Sequence, residues 1–503
     1  MRRLRWYDFL WINLFWLGLN IRNTAMNVIT PGLLEKFVDP AIKNTALGVV
    51  STAGLVIAML VQPAAGLLSD RSTSRFGRRR PFIFAGVLLD LLFLAAIGLA
   101  WGFWPLLVAT LLLQFSANVS HGPLQGLIPD LVTDEDKRGR ASAVKAVMEL
   151  VAIFLVGLTI AKIIEAGHMS WAIVATGGML LAIMLITMVT VREEPLREKP
   201  TTRFWPPLLR VLGMLGGIVV GAVAGLLAGG AAGGLAGLIA WPLAGSSTAL
   251  PVGIGVGGVV AMVVAVVVGV WAGALITLGE GGLVGRLGTL LSRHRRTAEL
   301  SHDAQRRSSF IWWVVNRLMF LAAITSIQKF TPYFLEVVFK VDYDAAAGIF
   351  GNLMAVLGPA TIASALLSGW LADRMGHKRL VGVSGLFAAL GGLLLLVMIW
   401  LPSMPLIYAV GAILGISAGL FMTSNWAMGT DLVPPAEAGL YLGVSNLAGA
   451  GAGMVGTGIG GLIVDWVEHY SPGWGYFPLF AGFALLFALS TVSLAGVRRT
   501  EPA

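Results

Sequence analysis

The chain of 503 residues contains no cysteine, which excludes disulfide frameworks and thiolate metal sites. Charge is scarce too. Only 12% of residues are Asp, Glu, Lys or Arg, too few to cover a soluble surface of this size. No G-x-x-x-x-G-K-[S/T] segment occurs, which argues against a self-contained ATP-driven pump. Gly451-Ala-Gly453-Met-Val-Gly456 spells a dinucleotide fingerprint, but it lies inside an apolar run with no strand before it. Strand-like alternation is missing as well: Ala261 to Val270 is apolar or glycine throughout, unlike a strand of a membrane barrel. No cofactor, metal centre or catalytic constellation is expected, so the chain does not read as an enzyme.

What is present is hydrocarbon, with 57% hydrophobic residues and a mean hydropathy of +0.83. A bilayer core about 30 Å thick needs roughly 20 apolar helical residues per crossing. Fourteen such segments are read near 8 to 32, 45 to 68, 81 to 101, 104 to 128, 141 to 165, 170 to 191, 209 to 241, 251 to 278, 309 to 335, 345 to 370, 380 to 401, 405 to 429, 439 to 465 and 475 to 497. The class is therefore an all-α polytopic membrane protein. Met1-Arg-Arg-Leu-Arg5 resembles the start of a secretory signal, but Asn13, Asn20, Arg22 and Asn23 interrupt the run and no A-x-A cleavage site follows. The segment reads as an uncleaved first span.

Basic residues in short loops remain on the cytoplasmic side. Arg2, Arg3 and Arg5; Arg71, Arg75 and Arg78 to Arg80; Lys137, Arg138 and Arg140; and Arg192, Arg197, Lys199 and Arg203 mark alternate loops. Arg293, Arg295, Arg296, Arg306, Arg307, Arg374, Lys378, Arg379, Arg498 and Arg499 continue the same side. Both termini are expected to be cytoplasmic, with the chain in the plasma (inner) membrane. The net charge of +9 follows from this topology, and no nucleic-acid partner is implied.

The two halves repeat each other. Thr30-Pro31-Gly-Leu-Leu-Glu35 recurs as Thr331-Pro332-Tyr-Phe-Leu-Glu336, and Asp130-Leu-Val as Asp431-Leu-Val, both 301 residues on. Gly66-Leu-Leu-Ser-Asp70-Arg71 recurs as Gly369-Trp-Leu-Ala-Asp373-Arg374 at a spacing of 303. Such a repeat places two six-helix bundles about an axis along the membrane normal. The expected organisation is a bundle over 1–195, a linker over 196–308 with an inserted hairpin at 209–278, and a second bundle over 309–503.

The repeated Gly-x-x-x-Asp-Arg, followed by glycine and basic residues, resembles the signature of the major facilitator superfamily between helices two and three of each half. The resemblance implies a conformational-switch role for Gly66, Asp70, Arg71, Gly77 and Arg78, and for Gly369, Asp373, Arg374 and Gly376. The first copy, Ser69-Asp-Arg-Ser-Thr-Ser-Arg-Phe-Gly-Arg-Arg-Arg-Pro-Phe-Ile83, is similar to the sucrose and glycoside-pentoside-hexuronide:cation symporter branch. Asn118-Val-Ser-His-Gly-Pro123 leading to Pro129-Asp130-Leu agrees with it. The chain departs from that branch where an acid and a base are usual, since Gln114 and Gln125 are neutral amides.

Helical spacing picks out the candidate binding face. Gln114, Asn118, His121 and Gln125 form one stripe in the fourth span; Asn13, Trp16, Asn20, Asn23 and Asn27 form another in the first. Shifted by 301, the second stripe lands on Arg317 and Gln328 of the seventh span. Polar groups in hydrocarbon point into a bundle or a wet cavity, or hydrogen-bond between helices. At a 1.5 Å rise, Asp90 lies about 14 Å into its span, and Glu149 and Arg317 about 12 Å into theirs. Asp90 and Glu149 are the candidates for proton coupling, with a structural ion pair the alternative for Asp90. Arg317 or Arg22 can hold an anionic group, and Trp16 and Trp426 can stack on a sugar ring.

The insert repeats glycine every fourth residue: Gly213, Gly217, Gly221, Gly225, Gly229, Gly233 and Gly237, then Gly253, Gly257, Ala261, Ala265, Gly269 and Gly273. Small residues at this spacing let helices approach closely. A tight hairpin is expected, joined by an outside loop over Trp241 to Pro251.

Together these features read as a monomeric secondary transporter of a sugar or similar polar solute, working by alternating access with a proton or sodium ion. An exporter or facilitator of a lipophilic or anionic solute, or a non-transporting assembly or pigment-delivery factor, are the alternatives. The topology is testable by fusion. Reporters after Lys199 and after Ser301 should both read cytoplasmic and one at residue 246 should read external; a cytoplasmic reading at 246 removes the hairpin.

Overall fold

The computed structural model describes residues 5–132, 135–191, 193, 205–277, 297–432 and 438–497. In lipid every backbone N–H and C=O needs an internal partner, so each apolar run closes on itself as a helix. The order is α1 (Trp6–Phe37), α2 (Lys43–Asp70), α3 (Arg80–Gly98), α4 (Phe103–Leu131), α5 (Glu135–Leu158), α6 (Ile160–Glu165), α7 (Met169–Thr190), α8 (Trp205–Ala244) and α9 (Ser246–Thr277). It continues with α10 (Thr297–Phe339), α11 (Tyr343–Met375), α12 (His377–Trp400), α13 (Met404–Leu432), α14 (Ala438–Tyr470) and α15 (Tyr476–Ser493). A break at Thr159 separates α5 from α6, and the two make one segment, so the described residues form fourteen helical segments of span length, as expected. No strand occurs among the described residues.

Twelve helices among the described residues are long and apolar enough to cross a membrane. The 32-residue α1 and the 33-residue α14 are long enough but stand outside the twelve. In α1 the asparagines and Arg22 dilute the hydropathy. Of the basic loop residues named above, Arg2, Arg3, Arg192, Arg197, Lys199, Arg203, Arg293, Arg295, Arg296, Arg498 and Arg499 lie outside the described residues. So do the side chains of Lys137, Arg138, Arg306, Arg307 and Asp431.

The contacts divide into two units. Unit one comprises Met1–Leu208 with Thr331–Ile362. In it α1 packs on α5 and α7, α2 on α4, and α3 on α4 and α7. Phe15, Leu19, Ile83, Val87, Leu124, Leu180 and Met184 fill the space among them. Unit two comprises Leu209–Phe330 with Ala363–Ala503, and there α12 packs on α13 and α15. Phe320 of α10 stacks on Phe421 of α13 with ring centres 3.6 Å apart and meets Phe487 of α15 edge-on at 5.1 Å.

The Gly-rich insert is the tight hairpin its period predicts, and it docks on α14 and α15 within unit two. A Cβ on Gly229 would stand 2.4 Å from the Gly257 carbonyl, and one on Gly225 2.4 Å from that of Ala261. The expected connecting loop over Trp241 to Pro251 is much shorter in the structure. Gly245 alone reverses the chain at φ +77°, and its carbonyl accepts from Ala249 N at 3.0 Å, starting α9 at once. A single left-handed glycine is enough because the small residues already hold the helices together.

The hairpin seam gives a direct test by thermal unfolding in detergent. Gly229→Leu should cost about 1 to 3 kcal/mol by overpacking, whereas Gly230→Leu, where a Cβ meets nothing within 4 Å, should stay within roughly 0.5 kcal/mol of the parent. Equal effects at the two positions would show that the seam is not close-packed.

Candidate functional site

Two polar clusters gather most of the stripe residues. In unit one, Trp16 of α1 meets His121 of α4 edge to face at 5.3 Å, so the first- and fourth-span stripes do converge. Asn20 Nδ2 donates to the Trp16 carbonyl at 2.9 Å, and Asn118 Nδ2 to the Gln114 carbonyl at 2.7 Å. Gln125 is exposed, its amide 3.5 Å from the His121 ring nitrogen. Asn13 is fully buried and ties α1 to α5, donating to the Ala141 carbonyl at 3.0 Å.

Lys145 of α5 completes this cluster, and the sequence reading passed over it. Its ammonium lies 3.9 Å from the Trp16 ring centre and 3.4 Å from Glu149 Oε1. A lysine four residues before a carboxylate on one helix is a readable pairing, yet Lys145 stands outside the stripes that helical spacing picks out. Glu149, a coupling candidate, therefore has a cation beside it. The Trp16 Nε1 donor is buried without a partner among the described residues.

In unit two, the Arg317 guanidinium lies 5.1 Å over the Trp426 ring and donates through Nη1 to Asn425 Oδ1 at 3.1 Å. Asn425 is held in turn, donating to Asn316 Oδ1 at 2.8 Å, while Asn316 donates to the Ser490 carbonyl at 2.7 Å. Trp313 Nε1 donates to the Asn425 carbonyl at 2.9 Å. This amide chain, invisible to a search for charge, fixes the fork of Arg317, whose Nε stays buried and unpartnered among the described residues. Asn23 is exposed, and Asn27 and Gln328 are half-buried; none of the three makes a side-chain hydrogen bond or ring contact with either cluster among the described residues.

Arg22 and Asp90, offered above as anion holder and proton carrier, face each other. Both are buried, with Arg22 Nε 3.8 Å from Asp90 Oδ2, and the Ser116 hydroxyl donates to Asp90 Oδ1. The geometry is that of the structural ion pair named as the alternative for Asp90.

The signature loop of the first half is a latch. Arg79 Nε is 2.9 Å from Asp130 Oδ2, Arg79 Nη2 is 2.5 Å from Asp70 Oδ1, and Arg79 Nη1 donates to Ser69 Oγ at 2.5 Å. Arg78 holds the same Asp130 through two nitrogens. Glu193 accepts from the Arg79 and Arg80 amides at 2.9 and 3.1 Å, capping α3, and burial pushes its carboxyl up from the usual range. Gly77 turns at φ +99°, and a Cβ there would strike Glu193. The pairing of Arg79 with Asp130 and Glu193 spans 51 and 114 residues of sequence and leaves no local pattern. In the second copy Gly376 turns likewise at φ +81°, but Asp373 and Arg374 are exposed and Arg374 rests 4.0 Å over Trp370.

Long apolar helices that keep their few charges in buried pairs define a polytopic α-helical membrane protein. The model of the Major Facilitator Superfamily matches residues 14–300 and 306–503, and the chain belongs to that family. Solute carrier family 45 member 3 of Mus musculus is 35% identical over 160 residues, covering 29% of this chain and 28% of that protein. Sucrose transport protein SUC4 of Arabidopsis thaliana is 29% identical over 133 residues, 23% of this chain and 25% of that one. These matches thus span about a quarter of the relatives' length. Among solved structures, the POT family transporter PepTSo aligns over 98% of this chain and 97% of its own with a TM-score of 0.65 at 12% identity. The nucleoside transporter NupG (D323A mutant) aligns over 97% and 99% with a TM-score of 0.60 at 12% identity. Both establish the shared fold.

The Arg22–Asp90 pair predicts a double-mutant cycle. Asp90→Leu or Arg22→Leu alone leaves a buried charge uncompensated and should cost about 3 to 5 kcal/mol, while the double Leu variant should recover most of it. Additive losses in unfolding assays would dissolve the pair.

Proposed function

We propose that the chain is a secondary transporter that moves a sugar or similar polyhydroxylated solute by alternating access, coupled to a cation. The observation that carries this reading is that each cluster leaves one buried donor unpaired, Trp16 Nε1 and Arg317 Nε. Buried donors without acceptors are costly, so oxygen atoms of a ligand are their natural complement. Each donor also belongs to a cation laid on an indole, Lys145 on Trp16 and Arg317 on Trp426. Flat apolar faces edged with donors suit a sugar ring, whose axial C–H groups and hydroxyls demand both. The relatives named as sucrose transport proteins support the same class.

One observation favours a second reading within transport. Arg317 is buried, and its described contacts are to an amide and an indole. A guanidinium in hydrocarbon normally pairs with a carboxylate. An acidic solute would supply it.

The test is sucrose counterflow into proteoliposomes. Arg317→Leu should fold as well as the parent yet lose the ~1.5 to 3 kcal/mol of a charged hydrogen bond in apparent affinity, and Arg317→Lys should recover only part, since a point charge does not reproduce a planar fork. A well-folded Arg317→Leu protein with unchanged sucrose affinity would remove the site. Glucuronate competing more strongly than glucose would favour the acidic solute.

A further inference from the structure

A further charged cluster lies at the Glu35 end of α1, within unit one. Lys43, at the start of α2 and buried, sets its ammonium 2.6 and 2.7 Å from the two oxygens of Glu336 on α10, and 3.4 Å from Glu35 Oε1. The same ammonium lies 4.6 Å over the Tyr333 ring. Glu35 Oε2 is buried with no partner among the described residues. Glu35 and Glu336 are the repeat-related residues 301 positions apart, so the two copies of one motif meet on one lysine.

One ammonium faces two carboxylates, which leaves one negative charge in excess. The neighbours do not cancel it. Tyr333 donates its hydroxyl to the Pro31 carbonyl at 2.7 Å, and Tyr343 donates its own to the Val28 carbonyl. Asp342 and Asp344, at the start of α11, add negative charge, and Lys36 of α1 acts on Asp344. Asp90 and Glu149 each stand beside a cation of their own; Glu35 and Glu336 share one. A single proton would remove the excess and give the orphaned oxygen a donor.

We propose that the Glu35–Glu336 pair binds one proton while Lys43 joins α1, α2 and α10, and that this pair is the proton-coupling site; the coupling clause rests on the transport reading above. One carboxyl O–H bond forms when the helix ends close on Lys43 and breaks when they part and the carboxylates regain water. Lys43 keeps its charge throughout. Falling pH therefore favours the joined state, by up to about tenfold per pH unit for one proton.

The native chain has no cysteine, so spin labels on Ile42→Cys and Val337→Cys, both exposed positions, report this junction alone. Pulsed distance measurements in proteoliposomes should show the short-distance fraction rising as pH falls from 8 to 5. Glu35→Gln and Glu336→Gln each match one carboxylate to one lysine and should hold that fraction constant with pH. Lys43→Met leaves two carboxylates without a cation and should move the midpoint to higher pH. Three variants that weaken the junction equally at every pH would reduce the cluster to a structural ion pair, and a fraction set by sodium at constant pH would replace the proton; either result overturns the proposal. Proton-driven sucrose uptake with a pH-invariant distance would overturn the site and leave transport standing. A pH-dependent distance in a chain without sucrose counterflow would keep the proton site and overturn its coupling role.

Discussion

The rest of the structure depends on the cost of an unpaired charge or hydrogen-bonding group in hydrocarbon. An ionised side chain near the bilayer centre costs at least ~2.5 kcal/mol on insertion scales, and the few charges that lie within the spans are under that constraint. Arg22 and Asp90 answer it with each other. Asn13, Asn118 and Asn316 answer it by donating to carbonyls of their own or neighbouring helices. Trp16 Nε1, Arg317 Nε and Glu35 Oε2 are among the buried atoms without a hydrogen-bond partner among the described residues, and at these three a site becomes arguable. The same rule that makes the fold helical thus marks where it can bind.

Helix packing obeys a second rule, because lipid tails are as apolar as leucine and burial alone gives helices little reason to associate. Close approach and polar links take its place. The insert shows the first: its period-four glycines bring α8 and α9 to backbone contact. The first half shows the second, where Arg79 gathers Ser69 and Asp70 from the end of α2 and Asp130 from the end of α4. Arg79 is nearly fully buried although it sits in a basic loop, which separates it from the neighbouring arginines that only orient the chain.

How much of this the sequence showed depends on the range of each interaction. Helix number and extent follow from local hydropathy; thirteen of the fourteen segments start and end within about six residues of their expected bounds, whereas α10 begins at Thr297, well inside the expected linker. The hairpin followed from a local period, but its one-residue turn did not, since positive φ at Gly245 leaves no mark among so many glycines. For the site, the 3.6-residue stripes brought Trp16 to His121, yet the partner helix had to be seen. Lys145 comes from α5 and Asn425 from α13, and neither distance is encoded locally. Asp90 and Glu149 stood out as charges at depth, and the cations beside them decide their character. Periodicity names the face of a helix; only the fold names what stands opposite.

The internal repeat conserves backbone and releases side chains. Trp16 and Arg317 occupy equivalent places 301 residues apart, as do Gln125 and Trp426, so what one copy supplies as an indole the other supplies as a guanidinium. Each cluster still ends as a cation on a tryptophan, built from opposite members. The signature loops diverge in the same manner: Gly77 and Gly376 keep the left-handed turn, but only in the first copy do the described side chains close a network around it. Glu35 and Glu336 are the exception, identical in type and brought to a common lysine. Two identical acids of a pseudo-symmetric pair cannot each own a single ammonium, so the symmetry of the repeat itself creates the unmatched charge, and an asymmetric occupant such as one proton is what resolves it.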